Sequence, residues 1–443
     1  MNQGLRPSRP SRPNPRAPWA AFLSFLFPGL GQAYNGESLV AMGLASPAVV
    51  LILIAIVLIA FAPATLFVRL LDIRFLIGLL VLDLVLLAWR LVAIIQAHGR
   101  QSRWRIGHWT TYVSGLVIIL TIAMHAVPAW YAVAVIDTLG AVAQGGTGGN
   151  GDLRDAFGGA AGAPAPPEVP DPERERINVL LVGIDWQPGR GEHLTDTMLV
   201  VSIDPLTGRS AMISVPRDLY GARLPDGRAY NAKLNSLLVV ATINPQQYPL
   251  GGVGTLKAAV GELLGVRVDY FAAINLPGFQ HAVDSIGGID IQVPRSIYDP
   301  TVGFRMDPGW HHMDGATALA YVRSRKGAGD NDFTRAARQQ EVLAAIRAKL
   351  TAGNLFTGLP ALLSSVRTTI STDIPSDQIA LLAEAVQRAN LGNAERAVIQ
   401  PPLVRPATGP GGAYILVPDF PAILQLGRRL MGDQASAAAS PAP

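Results

Sequence analysis

Asp185 and Asp196 stand eleven positions apart at the head of a stretch, 177–350, that also gathers cationic and amide side chains. Asp185 closes the apolar run INVLLVGID, and Asp196 sits in TDTM. Arg217 and Asp218 close ISVPRD, while Lys233 and Asn235 lie in AKLN. Arg323 and Arg325 fall in YVRSR, and Asp332, Arg335 and Gln339 in DFTRAARQQ. Carboxylates mixed with this many cations suit a divalent metal and a pyrophosphate. A hard cation such as Mg²⁺ takes a few carboxylates and fills its shell with phosphate oxygens. Guanidinium forks match phosphate geometry. Taken singly, each group also reads as a turn aspartate, a strand cap or a surface ion pair. Their number within one segment favours the metal and phosphate chemistry.

The elements that would position them alternate between strand and helix. The runs 177–185, 198–204 and 210–218 are β-branched and apolar enough for buried strands, with DPLTG as a turn between the last two. Leu256, Ala259, Val260, Leu263 and Leu264 recur at helical spacing in 255–265, before Gly265. A strand at 269–276, a helix at 277–288 and a strand at 289–294 follow. Helices at 314–322 and 332–350 complete the pattern of an α/β fold with a mixed sheet. Asp185 then ends one strand and Asp196 just precedes the next, so the two ends can meet around one ion. Arg217 and Asp218 fall at a strand's C-terminal end, where open α/β sheets place ligands. Arg323 and Arg325 point the same way if the chain after the helix is extended. Arg335 and Gln339 share a helical face.

Composition places this segment beside a membrane. Of 443 residues, 49% are hydrophobic and only 15% charged, low for a soluble chain. Three long apolar segments, roughly 38–62, 73–97 and 110–137, each reach the ~20 residues that cross a bilayer. A shorter one, 19–36, is broken by Pro28, Gly29 and Gly31 and reads as interfacial or re-entrant. Residues 1–18 carry four arginines and no acid, a basic disordered tail. Arg100, Arg103 and Arg105 lie between the second and third spans. Positive charge stays on the cytoplasmic side, so three spans leave the C-terminal part outside. No cleavable signal peptide is evident. Asp83 and Arg90, within the second span, share a helical face and read mainly as satisfying each other or a neighbouring helix. Residues 138–176, rich in Gly, Ala and Pro, form an expected linker, and 434–443 an expected disordered tail. The formal net charge of +4 and the pI near 9.4 fit membrane topology and phosphate binding.

Other chemistries lack their residues. With no cysteine, disulfide scaffolds and thiol catalysis are excluded. GVGTLK lacks P-loop spacing, His311 and His312 have no HExxH partner, and Ser214 and Ser236 have no GxSxG context.

Eight motifs in order, VGID, TDTM, ISVPRD, AKLN, YPLGG, VDSIGGIDIQVP, MDGATALAYVRSR and DFTRAARQQ, resemble the LytR–CpsA–Psr family of cell-wall enzymes. They cover about 177–350, and 351–433, with STDIP and YILVPD, is similar to the family's C-terminal extension. The resemblance implies a three-layer α-β-α domain, outside the cytoplasmic membrane, behind a transmembrane helical region. It implies a phosphotransferase moving a glycopolymer from a polyprenyl-pyrophosphate carrier to peptidoglycan, usually a muramic acid 6-hydroxyl, with Mg²⁺ (Mn²⁺ as the alternative). Asp185 and Asp196 would hold the metal. Arg217, Lys233, Asn235, Arg323, Arg325 and Gln339 would bind pyrophosphate, Asp332 and Arg335 would support that shell, and Asp218 or Asp196 would take the acceptor proton. The apolar space between sheet and helices would take the lipid tail. Three departures stand out. Leu194 occupies a position where the family commonly has arginine, the segment between AKLN and YPLGG is long and holds Pro245, and the N-terminal region has several spans in place of one. A polyprenyl-pyrophosphate hydrolase and a non-catalytic binder or regulator are the competing readings. No nucleic-acid motif is present.

Overall fold

The computed structural model describes residues 14–61, 66, 69–106, 108–143, 175–184, 194–301, 303–327, 329–349, 370–389 and 391–432. Asp185, His193, most of the expected linker, the extreme tails and 351–369 of the expected extension lie outside the described residues. The chain divides into two compact units, Met1–Ile136 and Asp137–Pro443.

The first unit begins with α1 (Arg16–Leu26) and α2 (Leu30–Tyr34), followed by α3 (Ser38–Phe61) and α4 (Ile73–Gln101), with α5 (Trp109–Ala143) running past its boundary. The last three are long and apolar enough to cross a membrane. Segment 19–36 falls into two short helices. Pro28 brings no amide proton, and Gly29 takes φ 99° between them. α1 lies on α4 through small residues, Ala17, Ala20, Ala21 and Ser24 against Ala93 and Ala97, which let the two backbones approach. Buried Gln32 ties this corner together, its Nε2 donating to Ala93 O at 2.8 Å and Gln96 Oε1 at 2.7 Å. Asp83 and Arg90 do not pair with each other. Asp83 Oδ1 meets His125 Nδ1 at 2.8 Å, and Arg90 Nη1 lies 3.8 Å from Met124 Sδ, so each meets the neighbouring α5, Asp83 through a full hydrogen bond and Arg90 only through a weak sulfur contact.

In the second unit the chain runs β1 (Ile177–Ile184), β2 (Thr195–Ile203), β3 (Ser210–Ser214), β4 (Tyr220–Arg223), β5 (Ala229–Lys233), α6 (Leu237–Ile243), α7 (Gly251–Leu264), β6 (Tyr270–Asn275) and α8 (Leu276–Ser285). It continues through β7 (Ile289–Val293), β8 (Ile297–Asp299), β9 (Phe304–Met306), β10 (Gly309–Met313), α9 (Gly315–Arg323) and α10 (Asp332–Lys349). It closes with β11 (Ile370–Thr372), α11 (Ile379–Arg388), β12 (Glu395–Val398), β13 (Val404–Thr408), β14 (Tyr414–Pro418) and α12 (Phe420–Met431).

Six strands form one mixed sheet in the order β11-β6-β1-β2-β3-β12. β1–β6 and β3–β12 are parallel; the other pairings are antiparallel. Successive side chains in a strand point to opposite faces, and both faces here are covered. Leu180, Val182, Ile184, Met198, Val200 and Ile213 join Leu256, Val260 and Leu263 of α7 and Ile423 of α12 in one core. Ile177, Leu199, Val201, Met212 and Tyr270 face Leu382 and Ala385 of α11 in another. This is the expected three-layer α-β-α arrangement. The space between the sheet and α7 and α12 is filled by these side chains, each exposed by 3% or less. A third core joins α8, α9, β7 and β10 to Val342 of α10.

α10 is the element that ties the layers. Phe333 packs on the first core and Leu343 on the second. Gln340 Nε2 donates to Ser214 Oγ at 2.9 Å and Ala397 O at 2.8 Å, fixing the helix against β3 and β12. Two strand limits differ from those expected. β2 starts at Thr195, because pairing with β1 extends to Ile184↔Thr195, so Asp196 lies inside the strand. β3 stops at Ser214, where its ladder with β2 ends and Pro216 has no proton to continue it.

Candidate active site

The local shape of β2 explains why Asp196 is available for chemistry. Gly183 pairs with Thr197 and Ile184 with Thr195, so Asp196 has no partner on β1. An extra residue of this kind is a bulge, which re-aims its side chain. Gly183 suits the same close contact. A Cβ there would sit 3.0 Å from the Thr197 side chain. Thr197 Oγ1 in turn accepts from Gln339 Nε2 at 2.8 Å, locking α10 onto the bulge.

Arg217, on the turn after β3, is 19% exposed and donates through Nη1 to Asp196 Oδ1 at 2.6 Å. Its Nε is 3.7 Å from Asp218 Oδ2, and its Nη2 is 4.0 Å from Asp332 Oδ2. Asp218 is held from the other side by Lys233 Nζ at 2.6 Å. Arg335 Nη1 lies 3.3 Å from Asp332 Oδ1, and its Nη2 donates to Asp196 O at 3.3 Å. Arg325 Nη1 is 3.6 Å from Asp332 Oδ1. Four cations and three carboxylates thus interlock, and Asp196, Arg217, Asp218, Asp332, Arg335 and Gln339 help to line a cavity of about 140 Å³, with Lys233 and Arg325 behind Asp218 and Asp332. It is large enough for a phosphate group or two and too small for a polyprenyl tail.

Electrostatics separate half-buried Arg217 from buried Arg335. Burial by itself lowers the Arg217 pKa, but the Asp196, Asp332 and Asp218 charges outweigh it and the pKa rises. At Arg335 burial wins over Asp332, and the pKa falls. Both stay guanidinium ions. Arg217 Nε, Arg335 Nε and Asp332 Oδ1 are buried without a hydrogen bond. The two Nε–H donors each cost about 1–3 kcal/mol while unsatisfied, and an anion within their reach would relieve that cost; Asp332 Oδ1, an acceptor, would take a proton donor or a cation instead.

The remaining expected residues divide. The Asn235 amide donates to Arg217 O at 3.1 Å, and Asn235 O accepts from Thr195 Oγ1 at 3.1 Å, so Asn235 acts through its backbone on the arginine turn. Arg323, in the last turn of α9, is exposed and Arg325, just beyond the helix, is half-buried; neither side chain forms part of the cavity wall. Leu194 immediately precedes β2 and contributes no charge.

Of the two expected metal ligands, Asp185 lies outside the described residues. Asp196 fits a shared Mg²⁺ site. Its Oδ1 is taken by Arg217, and its Oδ2 has no hydrogen-bond partner among the described residues. Among those residues no three His, Asp or Glu side chains gather as an all-protein cage. Mg²⁺ characteristically uses one or two carboxylates together with substrate phosphates, so this donor chemistry suits it.

The pattern of the LytR_cpsA_psr family matches residues 161–400, more than half of the chain. The chain belongs to the LytR–CpsA–Psr family. It is 28% identical over 205 residues to a protein of Bacillus anthracis named polyisoprenyl-teichoic acid–peptidoglycan teichoic acid transferase TagU, covering 46% of this chain and 63% of that one. It is 29% identical over 216 residues to biofilm regulatory protein A of Streptococcus mutans, covering 46% and 51%. The chain therefore spans less than two thirds of the length of these relatives. Among solved structures, TagV of B. subtilis aligns with TM-score 0.46 and 22% identity, over 58% of this chain and 98% of that one.

Sequence reasoning missed the residues that hold the family's motifs in place. Asp299, fully buried at the end of β8, accepts from the backbone amides of Arg325 at 2.7 Å and Lys326 at 2.8 Å and from Thr301 Oγ1 at 2.5 Å. It thereby sets the chain direction at Arg325. Asp330 accepts from Arg338 Nη2 at 2.5 Å and Arg295 Nη2 at 2.7 Å, anchoring the approach to Asp332. Only the aspartate before Pro300 in the sequence hinted at a turn there. Desolvation would raise the Asp299 pKa, but the hydrogen bonds from Thr301, Lys326 and Arg325 prevail and hold it well below the usual carboxylate range. A depressed folded pKa gives stability that is complete above the unfolded value, near 4, and is lost as pH falls below it. Asp299→Asn is accordingly expected to lower Tm by several degrees at pH 7, with the gap to wild type narrowing between about pH 4 and pH 3. Thermal unfolding of both proteins across that range checks this, and a constant gap would exclude the carboxylate as its source.

Proposed function

We propose that this protein is a membrane-anchored phosphotransferase that moves a glycopolymer from a polyprenyl-pyrophosphate carrier to peptidoglycan. The observation that carries this reading is the interlocked cavity, in which, among the described residues, the Nε–H groups of Arg217 and Arg335 lack partners beside a bulged carboxylate with one oxygen unbonded. Such groups match a pyrophosphate and its counter-ion, and the teichoic acid transferase relatives give the glycan direction.

In this mechanism Arg217, Arg325, Arg335 and Lys233 surround the two phosphates and neutralise them. Phosphoryl transfer depends mainly on positioning and charge stabilisation. The acceptor oxygen forms a bond to the phosphorus carried by the glycan, and that phosphorus loses its bridging oxygen to departing polyprenyl phosphate. Asp218, buried beside Lys233, takes the acceptor hydroxyl proton. Asp196, with Asp185, would hold a Mg²⁺ that supplies further charge to the leaving oxygen. Gln339, which also lines the cavity, fixes the Asp196 bulge through Thr197.

The test is transfer by the full chain, using a lipid-linked pyrophosphate glycan and a peptidoglycan oligosaccharide, with and without Mg²⁺. Wild type is expected to transfer only with the metal, and Asp196→Ala and Arg217→Ala to lose about 100-fold or more. Phosphate release without transfer would replace this reading with a hydrolase. Tight binding without turnover would replace it with a binding protein.

The site would face outward, with the basic N-terminus and the arginine-bearing segment 100–108 between the second and third spans on the cytoplasmic side. An alkaline phosphatase reporter, which needs export to be active, fused after Ala141 is expected to be active. A reporter active only in the cytoplasm at that point would reverse the topology.

A further inference from the structure

The motif YILVPD forms β14, and its first residue is left unused by the mechanism. β14 pairs with β13 in a hairpin closed by Gly411 and Gly412, both at positive φ. It also docks on the active-site turn, since Leu416 N donates to Asp218 O at 2.9 Å and Leu416 bridges Leu219. Alternate residues of a strand share a face. Leu416, 2% exposed, therefore lines the cavity floor and Tyr414, 51% exposed, its rim. A single exposed aromatic is ordinary on a protein surface. Tyr414 differs in lining a charged cavity from a strand fixed to the main chain of Asp218. Its hydroxyl makes no hydrogen bond among the described residues. Burial, then the Asp218 and Asp332 charges, raise its pKa, so the ring stays neutral.

We propose that Tyr414 is a sugar platform, stacking against the pyranose ring attached to the pyrophosphate. This rests on the pyrophosphate reading of the same cavity. A sugar bonded to a phosphate held by Arg217 and Arg335 has to lie within a few bonds of the rim. One face of a pyranose presents C–H bonds made electropositive by neighbouring oxygens, and the face of an aromatic ring is electronegative. The hydroxyl of Tyr414 faces water or the sugar's own hydroxyls. The ring thus distinguishes a glycosylated pyrophosphate from a bare one, which the arginines alone do not.

Calorimetric titration of the full chain in detergent with Mg²⁺ separates the two claims. The probes are geranyl pyrophosphate and geranyl-pyrophosphoryl N-acetylglucosamine, and the proteins are wild type, Tyr414→Phe and Tyr414→Ala. The sugar is expected to tighten binding about five- to tenfold in wild type and Tyr414→Phe and to add less than twofold in Tyr414→Ala. Geranyl pyrophosphate itself is expected to bind all three alike, which also shows that the cavity is intact in each. An undiminished sugar gain in Tyr414→Ala would overturn the platform while leaving the pyrophosphate site standing. A gain lost equally in Tyr414→Phe would assign it to the hydroxyl and overturn stacking. Absence of geranyl pyrophosphate binding in wild type would remove the pyrophosphate site and the platform together.

Discussion

The Arg217 guanidinium is largely withdrawn from water, and the Asp196 carboxylate lies 2.6 Å from it. A charge removed from water is tolerated only beside an opposite charge and satisfied hydrogen bonds. Removing one partner of a fully buried pair costs on the order of 3–5 kcal/mol, and less at this site, where the Asp196 side chain is 31% exposed. Asp196, Asp218 and Asp332 together supply the field that offsets the burial of the Arg217 charge, and Arg335 and Lys233 balance the remaining negative charge. The cluster is balanced enough to fold around and still leaves buried donors unsatisfied. That remaining imbalance is what an anionic substrate would complete.

The fold can be read as the set of positions this cluster demands. The β2 bulge delivers Asp196, the turn after β3 delivers Arg217 and Asp218, and the β5 end delivers Lys233. α10 brings Asp332, Arg335 and Gln339 on one side while its apolar face joins the two sheet cores. Because α10 holds both core and site, a change in its packing would move three polar side chains at once. Asp299 and Asp330 fix the short approach to α10 by accepting main-chain and arginine protons, so the loop carrying Arg325 has little freedom.

The chemistry-bearing residues were legible because their types and order survive in one dimension. Asp196, Arg217, Asp218, Lys233, Arg335 and Gln339 do converge, and the alternating apolar runs gave the layered α/β fold. What stayed hidden depends on long-range contact. Asp196 was expected just before a strand, since nothing local reveals that pairing with β1 extends past it and bulges there. Arg323 and Arg325 looked like a matched pair two residues apart. The helix persists through Arg323, so the two arginines do not share one extended segment, and Arg325 meets Asp332. Tyr414 is more than eighty residues from the nearest carboxylate of the site in sequence and arrives only through the β14 contact with Asp218. In the membrane-crossing helices, periodicity placed Asp83 and Arg90 on one face, but their partners come from α5, which no single-helix pattern encodes.

If Asp196 serves both Arg217 and a phosphate-bound Mg²⁺, metal and anion binding must be coupled through it. Calorimetric binding of inorganic pyrophosphate to wild type and Asp196→Asn, each with and without Mg²⁺, tests this directly. In wild type, Mg²⁺ should tighten pyrophosphate binding by about tenfold or more. In Asp196→Asn the metal effect should vanish, and metal-free pyrophosphate should bind more tightly than in wild type because Arg217 has lost its anionic partner. Pyrophosphate binding that is equally strong with and without Mg²⁺ in wild type would contradict the shared role of Asp196.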